Sequence, residues 1–183
     1  MREAADAEPA ALVLAELERI RAAAAHGPVL DLACGVGRNA LAVAAAGMRA
    51  LALDRDGDRL AGLLRRARTR GLRLAALRAD LETGHGIPLA SASCGVLLVF
   101  RYLHRPLVDE LVRVLRPGGL LVYETFTVHQ RELAEHPGNP AFLLAPGELS
   151  GLFPTFETLR YEESVVRAPM PEAVARLVAR RPP

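Results

Sequence analysis

The chain has 183 residues, the size of one domain that can bury a full hydrophobic core. Hydrophobic residues make up 51% of it and charged residues 24%, a balance typical of a soluble globular protein. All 23 basic residues are arginine, so there is no lysine for a Schiff base and pyridoxal phosphate chemistry is excluded. The formal net charge of +2 is too small to indicate a nucleic acid partner.

Residues 1–27 are rich in alanine with interspersed charges, so they predict neither a signal peptide nor a membrane span. The two cysteines, Cys34 and Cys94, follow no metal-binding spacing. We therefore expect reduced thiols, a cytoplasmic location, no metal site and no membrane partner.

Apolar spacing and turn residues predict alternating helices and strands. The predicted elements are a helix over 10–25, a strand over 28–33, a helix over 38–46, a strand over 49–54, a helix over 57–70, strands over 72–78 and 95–100, a helix over 106–114 and a strand over 120–125. Such alternation predicts an α/β fold with a parallel sheet covered on both faces.

The last third of the chain has a different pattern. Residues 127–147 are predicted to be irregular with one short helix, followed by a helical turn over 148–152 and a strand over 155–163. Residues 173–180 alternate in a way that suits a strand, with a helix as the competing interpretation. Two strands in succession predict an antiparallel pair at the end of the sheet.

The stretch 29–40, VLDLACGVGRNA, is the most informative part of the chain. An apolar run suited to a buried strand is followed by Gly35 and Gly37, which allow a tight turn and leave room for a ligand against the main chain. A helix then begins at Arg38. A strand, a glycine turn and a helix N-terminus together predict a cofactor site.

Two cofactors compete for this turn. The residues 35–40 fit the loose dinucleotide pattern G-x-G-x-x-A, and Asp54 lies at a plausible distance downstream. However, Asp31 at the strand end would repel a pyrophosphate, whereas it would attract the ammonium and sulfonium cations of S-adenosylmethionine. The charge argument favours the methyl donor; a bare turn without any ligand is the third interpretation.

The stretch 31–39 resembles motif I of class I S-adenosylmethionine-dependent methyltransferases, and its C-G-x-G-R-N form is similar to the small-molecule branch that contains tellurite and thiol methyltransferases. The resemblance runs from about Pro28 to the C-terminus. It implies a Rossmann-like, doubly wound, seven-stranded sheet of order 3-2-1-4-5-7-6 with strand 7 antiparallel. It also implies a single methyltransferase domain, 1–183, with an N-terminal helix (1–27), a cofactor-binding core (28–126) and an acceptor-side loop with the C-terminal strands (127–183).

The resemblance also implies roles for the cofactor side. It assigns the ribose hydroxyls to Asp54, the adenine to Asp80 and Leu81, and the methionine part to the main chain at Phe100 and Arg101. A turn acid is the alternative for Asp54 and a plain loop acid for Asp80. The complete predicted cofactor set is Asp31, Ala33, Cys34, Gly35, Gly37, Arg38, Asn39, Asp54, Arg55, Asp80, Leu81, Phe100 and Arg101.

The candidates for the acceptor side are Arg101, Tyr102, His104 and Glu124, which follow the predicted fourth and fifth strands. A cap or surface residue is the alternative for His104, and a loop-capping acid for Glu124. The expected reaction is an in-line displacement that converts S-adenosylmethionine to S-adenosylhomocysteine. A general base is needed only if the acceptor must lose a proton.

The expected partner is a small-molecule acceptor, with an RNA or protein acceptor as the alternative; an NAD-dependent oxidoreductase and a non-catalytic cofactor-binding module are further alternatives. An arginine cluster begins at Arg65, but it lacks interleaved aromatic residues and reads as a solvated helix face. The segment before the first strand contains no aromatic residue that could cover the donor, so either the site is more open or another segment covers it, including one from a second subunit. A homodimer is possible on this ground.

Overall fold

A computed structural model describes residues 8–133, 137, 139–166 and 171–183. Seven strands form one sheet in the order β3-β2-β1-β4-β5-β7-β6. Their bounds are β1 Val29–Leu32, β2 Ala50–Asp54, β3 Leu74–Arg78, β4 Cys94–Phe100, β5 Leu115–Phe126, β6 Glu157–Val166 and β7 Glu172–Arg180. Strands β1 to β5 pair in parallel, and β7 pairs antiparallel with both β5 and β6. The predicted fold class and strand order are confirmed.

Helices cover both faces of this sheet. Their bounds are α1 Ala11–Ala15, α2 Leu17–Ala24, α3 Arg38–Ala45, α4 Gly57–Thr69, α5 Val108–Val114 and α6 Glu148–Gly151. Helices α1 to α4 pack on one face, and α5 packs on the other together with Leu149 of α6. Strands buried on both faces read as continuous apolar runs, and all seven residues of β4 are buried.

The predicted single N-terminal helix over 10–25 is wrong in one respect, because the structure divides it into α1 and α2. The backbone leaves the helical conformation at Glu16, where φ is −102° and ψ is 13°. The Glu16 side chain is only 3% exposed and lies within ion-pair distance of Arg19 and of Arg160 on β6. The break thus allows a buried carboxylate to meet two guanidinium groups.

The boundaries of the last strands also differ from the prediction. Strand β5 begins at Leu115, and the predicted turn at 117–119 is an irregularity within it, since the partners along β4 shift between Cys94 and Val96. Gly118 has a φ of +72° at this point. Strand β6 starts and ends a few residues later than predicted. Residues 173–180 lie in a strand, as favoured, and the competing helix is wrong.

The loop between β1 and α3 depends on Gly37, which has a φ of +75° and is the N-cap of α3. A Cβ built at Gly37 would lie 2.4 Å from a methyl carbon of Leu63, a fully buried residue of α4. This glycine therefore allows α4 to pack against the loop.

We expect Gly37→Ala to lower the free energy of unfolding by about 2–4 kcal/mol, because it adds a clash in a packed core to a strained φ. Gly47→Ala is the matched control, since Gly47 has a φ of +85° and nothing lies within 4 Å of its added Cβ. It should cost only about 1 kcal/mol. Denaturant unfolding measures both, and equal losses would contradict the packing role of Gly37.

Candidate functional site

Three cavities lie at the carboxyl ends of the parallel strands. The Asp31 cavity, of about 280 Å³, is lined by Asp31, Ala33, Cys34, Gly35, Val36, Arg38, Asn39, Arg59, Phe100 and Arg101. The Asp54 cavity, of about 190 Å³, is lined by Ala33, Asp54, Arg55, Arg59, Ala79, Asp80, Leu81, Glu82 and Tyr102. The Phe126 cavity, of about 200 Å³, is lined by Glu82, Arg101, Tyr102, Leu103, Phe126, Pro137 and Phe142.

The three cavities border one another. Ala33 and Arg59 line both the Asp31 and the Asp54 cavities, and Tyr102 lines both the Asp54 and the Phe126 cavities. Arg101 lies between the Asp31 and Phe126 cavities. One crevice therefore extends from the glycine loop, past the ends of β2 and β3, to the end of β5.

Asp31 lies at the back of this crevice with only 2% of its surface exposed. Its Oδ2 accepts a hydrogen bond from the Ala40 amide at 2.9 Å, so it caps the first turn of α3. Burial raises the pKa of the carboxyl to about 7, although the Ala40 hydrogen bond and the Arg38 charge oppose this shift. Asp31 is thus a buried acid whose ionised form needs a positive partner.

Asp54 ends β2 and holds two loops in place. Its Oδ2 accepts the Gly35 amide at 2.7 Å, and its Oδ1 accepts the Asp56 amide at 2.9 Å. An ionised carboxylate has about four lone-pair sites, so each oxygen keeps capacity for a further donor. Asp54 can therefore support the glycine loop and accept hydroxyl groups from a ligand at the same time.

Two residues other than glycine have a positive φ within the crevice. Ala33 follows β1 with a φ of +51°, and Arg101 follows β4 with a φ of +55°. The Arg101 guanidinium forms two hydrogen bonds to the Glu172 carboxylate, at 2.6 and 2.8 Å, and lies 5.3 Å from the centre of the Phe126 ring. Strained backbone of this kind is typical of functional sites.

Tyr102 carries the one buried side-chain oxygen or nitrogen atom in the described part of the chain that has no hydrogen-bond partner. This atom is its hydroxyl, and burial together with the charges of Glu82 and Asp80 raises its pKa to about 12. A buried hydroxyl without a partner costs free energy unless a ligand supplies one.

The N-terminal segment is anchored beside the Asp31 cavity. The Asn39 Oδ1 accepts the Ala10 amide at 2.9 Å, and the Arg38 guanidinium donates to the Glu8 carbonyl at 3.0 Å. Burial raises the pKa of the Cys34 thiol far above its usual range, so this thiol stays protonated and is no nucleophile. These three predicted cofactor residues line the cavity but also have structural partners.

Of the thirteen predicted cofactor residues, the structure brings all but Gly37 to the Asp31 and Asp54 cavities. Gly37 packs against α4 instead. On the predicted acceptor side, Arg101 and Tyr102 line the crevice, whereas His104 and Glu124 line none of the three cavities.

Glu124 is held away from the crevice by an ion pair. It is 7% exposed, and its Oε2 accepts from Arg176 Nε on the neighbouring strand β7 at 2.6 Å. Tyr123 points to the opposite face, where its hydroxyl donates to the Tyr102 carbonyl at 2.9 Å. The two side chains therefore alternate between the faces of the strand, as neighbouring residues of a strand must, but neither lines one of the three cavities.

The sequence analysis missed several lining residues. Arg59 comes from the first turn of α4 and pairs with Asp56 at 3.1 Å, and Glu82 lies opposite Arg55 at 3.8 Å. Phe142 was not singled out, but it belongs to the apolar stretch 139–149, whose pattern predicts a lid or wall with core packing as the alternative, and Phe142 lines the Phe126 cavity with 43% of its surface exposed. The only sequence signal for Phe142 was the apolar character of the segment around it.

Neither a metal site nor a membrane helix emerges from residues 8–133, 137, 139–166 and 171–183. They contain no group of three or more histidine, cysteine, aspartate or glutamate residues that could hold a metal ion. No helix among them has the length and apolar character that a membrane crossing requires.

Comparisons with known proteins agree with this geometry. Residues 29–119 match a family model described as a methyltransferase domain. No curated protein matches the chain.

Solved structures share the fold at low sequence identity. TehB from Haemophilus influenzae is 20% identical with a TM-score of 0.69, and the match covers 90% of this chain and 61% of that one. A geranyl diphosphate C-methyltransferase from Streptomyces coelicolor is 14% identical with a TM-score of 0.68, with 92% and 77% covered. A SAM-dependent methyltransferase from Aquifex aeolicus is 16% identical with a TM-score of 0.63, with 89% and 88% covered. The chain thus spans about three fifths of the length of TehB.

We expect Tyr102→Phe to raise the free energy of unfolding of the ligand-free protein by about 0.5–1 kcal/mol, because it removes a buried hydroxyl that has no partner. Tyr123→Phe is the control, since it removes a hydroxyl that is hydrogen-bonded, and it should lower the same free energy by about 0.5–1.5 kcal/mol. Denaturant unfolding distinguishes the two variants. A loss of stability in both would show that the Tyr102 hydroxyl has a partner after all.

Proposed function

We propose that this chain, whose residues 29–119 match the model of a methyltransferase-domain family, transfers the methyl group of S-adenosylmethionine to a small, apolar acceptor. The family match and the fold support a methyltransferase activity with S-adenosylmethionine as the donor. The proposal adds the class of acceptor and the roles of individual residues.

The observation that carries the donor assignment is the pair of carboxylates at the ends of β1 and β2. Asp31 and Asp54 are both buried and both open on a crevice beside the backbone of Gly35. A Cβ added at Gly35 would meet only one atom within 4 Å, the Arg59 Nη1 at 3.9 Å, so the space above this glycine is open. Two acids suit a ligand with an ammonium, a sulfonium and two ribose hydroxyls, and they disfavour a pyrophosphate.

Each part of the donor then has a site. Asp31 would accept the ammonium, and Asp54 the two ribose hydroxyls through its remaining lone pairs. Asp80 and Leu81 would bind the adenine, and Phe100 and Arg101 would lie against the methionine chain. The order of these residues along the crevice supports this arrangement, since Arg101 borders both the Asp31 and the Phe126 cavities.

The Phe126 cavity supports the acceptor class. At about 200 Å³ it exceeds the roughly 150 Å³ that accommodates benzene in an engineered protein cavity. Leu103, Phe126 and Phe142 give it apolar walls. Its guanidinium, from Arg101, is already neutralised by Glu172, which favours an uncharged body for the acceptor.

The groups around this cavity also favour an acceptor that needs no general base. The Tyr102 hydroxyl, with its pKa raised to about 12, remains protonated at neutral pH. Glu82 is the one carboxylate that lines the cavity among the described residues, and it is exposed and lies opposite Arg55. A thiol fits best, because a part of it is thiolate near neutral pH and thiolates are strong nucleophiles.

The reaction is an in-line displacement. The sulfur lone pair of the thiolate attacks the methyl carbon as the bond from that carbon to the sulfonium breaks, and the bonding electrons go to the departing sulfur. The products are a methyl thioether and S-adenosylhomocysteine, and the thiol proton goes to solvent. The protein contributes proximity and orientation, which can lower the barrier by up to about 7–11 kcal/mol.

The acceptor class is tested with S-adenosylmethionine that carries a labelled methyl group. We expect transfer to thiophenol and short aliphatic thiols, and little transfer to amines, RNA or a protein mixture of matched concentration. Preferential labelling of RNA or protein would show that the acceptor is a macromolecule, contrary to the proposal.

The donor class is tested by thermal unfolding. NAD should not stabilise the folded chain, whereas saturating S-adenosylhomocysteine should raise its free energy of unfolding by a few kcal/mol.

The role of Asp31 predicts a pH dependence for binding of S-adenosylhomocysteine, whose ammonium needs the ionised carboxylate. Since the pKa of Asp31 is about 7 in the empty site, binding must release a proton below that pH, and affinity should rise by up to about tenfold per pH unit toward pH 7. Titration calorimetry in two buffers of different ionisation enthalpy measures both the affinity and the proton.

Asp31→Asn is the control, because its amide oxygen can still accept the Ala40 amide. This variant should bind S-adenosylhomocysteine about tenfold or more weakly and without the pH dependence. If the pH dependence persists unchanged in Asp31→Asn, another group binds the ammonium.

A further inference from the structure

We infer that Arg105, which lines none of the three cavities, is a positioning residue that fixes the outer wall of the Phe126 cavity and thereby determines which acceptors fit. The inference rests on the proposed function, because it treats this cavity as the acceptor site. It concerns one side chain and the segment 139–148 that this side chain holds.

The Arg105 guanidinium contacts the segment 139–148 at three residues. Its Nη1 donates to the Ala141 carbonyl at 2.8 Å, and its Nη2 donates to the Leu143 carbonyl at 2.9 Å. Its Nε and Nη2 also form a two-point pair with the Glu148 carboxylate. One planar guanidinium thus binds the segment 139–148 near its start and at its end.

The two backbone carbonyls are those on either side of Phe142. Phe142 ends the 3-10 turn Pro140–Phe142, and its ring lines the Phe126 cavity while 43% of its surface is exposed. It belongs to none of the hydrophobic clusters that the described residues form. Its position is therefore set by its backbone, and Arg105 holds that backbone on both sides.

The opposite wall of the same cavity lies just before Arg105 in the chain. Tyr102 and Leu103 line the cavity, and Arg105 follows within two residues of Leu103. Arg105 consequently ties the loop after β4 to the segment that carries Phe142. The same segment is also joined to the end of β5, because Leu144 exchanges backbone hydrogen bonds with Phe126 and Val128, each at 2.9 Å. Arg105 is thus the side chain that joins this segment to the loop after β4.

Glu148 links Arg105 to the C-terminal end of the segment 139–148. Its Oε2 also accepts the Ala145 amide at 2.8 Å, and the Arg105 guanidinium lowers the pKa of its carboxyl. Leu143 and Leu144 are 1% and 0% exposed, so the segment is anchored in the core on one side of Phe142. On the other side, the Asn139 cap and the backbone hydrogen bonds from Phe142 to Asn139 and from Leu143 to Pro140 all lie within the segment itself, so they close the turn without fixing it to the rest of the protein.

Arg113 forms a similar network elsewhere in the chain, so its substitution is a control for general loss of stability. Arg113 pairs with Glu110 through two of its nitrogens and donates to the Leu89 and Ile87 carbonyls at 2.8 and 2.7 Å. It holds the loop before β4, and none of its partners lines the Phe126 cavity. Arg113→Lys therefore removes the same kind of network without affecting the proposed acceptor wall.

The test uses thioanisole, a methyl thioether, as a probe of the acceptor cavity in the full chain saturated with S-adenosylhomocysteine. Ligand-observed NMR gives the affinity for the probe, and calorimetry gives the affinity for S-adenosylhomocysteine. We expect Arg105→Lys and Phe142→Ala to weaken thioanisole binding by about fivefold or more, because a lysine ammonium cannot span both carbonyls and the carboxylate. Arg113→Lys should leave it unchanged, and all three variants should bind S-adenosylhomocysteine like the parent chain.

Failure of the inference can be distinguished from failure of the proposed function. If Arg105→Lys binds thioanisole like the parent chain, or if Arg113→Lys weakens it equally, Arg105 has no special positioning role. If thioanisole does not bind the parent chain, the inference is overturned even though S-adenosylhomocysteine binds. If S-adenosylhomocysteine itself does not bind the parent chain, it is the proposed function that fails.

Discussion

The hydrogen bond from the Gly35 amide to the Asp54 carboxylate, at 2.7 Å, joins the loop after β1 to the end of β2. The other oxygen of the same carboxylate accepts the Asp56 amide, and the Asp56 side chain in turn caps α4 by accepting from the amides of Asp58 and Arg59. One buried acid therefore arranges two of the loops that line the Asp54 cavity. Because these contacts are all made within the protein, the fold itself sets the positions of the loop after β1 and the loop after β2.

The burial of Asp31 costs stability when its carboxyl is ionised. Its pKa is raised from 3.8 to about 7 by burial, so the folded chain favours the protonated carboxyl more than the unfolded chain does. Between about pH 4 and pH 7 the unfolded state binds fewer protons at this group, and the contribution of Asp31 to stability falls as the pH rises. A cation in the Asp31 cavity removes this penalty. The positive φ at Ala33 and Arg101 is a second local cost at the same crevice.

The position of the predicted cofactor residues in one crevice was predictable from sequence because most of them follow strands directly. Parallel strands bring their carboxyl ends to one edge, so Asp31, Asp54 and Asp80 meet there whatever the rest of the chain does. The surroundings of Glu124 could not be predicted in this way. Its strand and its face follow from alternation, but its partner comes from the register of β5 and β7, which aligns Glu124 with Arg176 across 52 residues of chain. No local pattern specifies that register. The role of Gly37 likewise depends on how α4 packs, which the glycine spacing does not encode.

The two halves of the crevice also differ in how they are built. The Asp31 and Asp54 cavities are formed by parts of residues 29–119, the stretch that matches the family model, and they are shaped by hydrogen bonds from the amides of Gly35 and Ala40 to the two carboxylates. The Phe126 cavity combines the loop after β4 with Phe126 and Phe142, which lie beyond residue 119, and its geometry depends on the long-range contacts of Arg105. Substitutions in the segment 139–148 can therefore change the Phe126 cavity while the bonds that shape the Asp31 and Asp54 cavities stay intact. Under the proposed function, a fold arranged in this way can keep one donor and vary its acceptors, because the Phe126 cavity shares only a few lining residues with the other two, such as Arg101 and Tyr102.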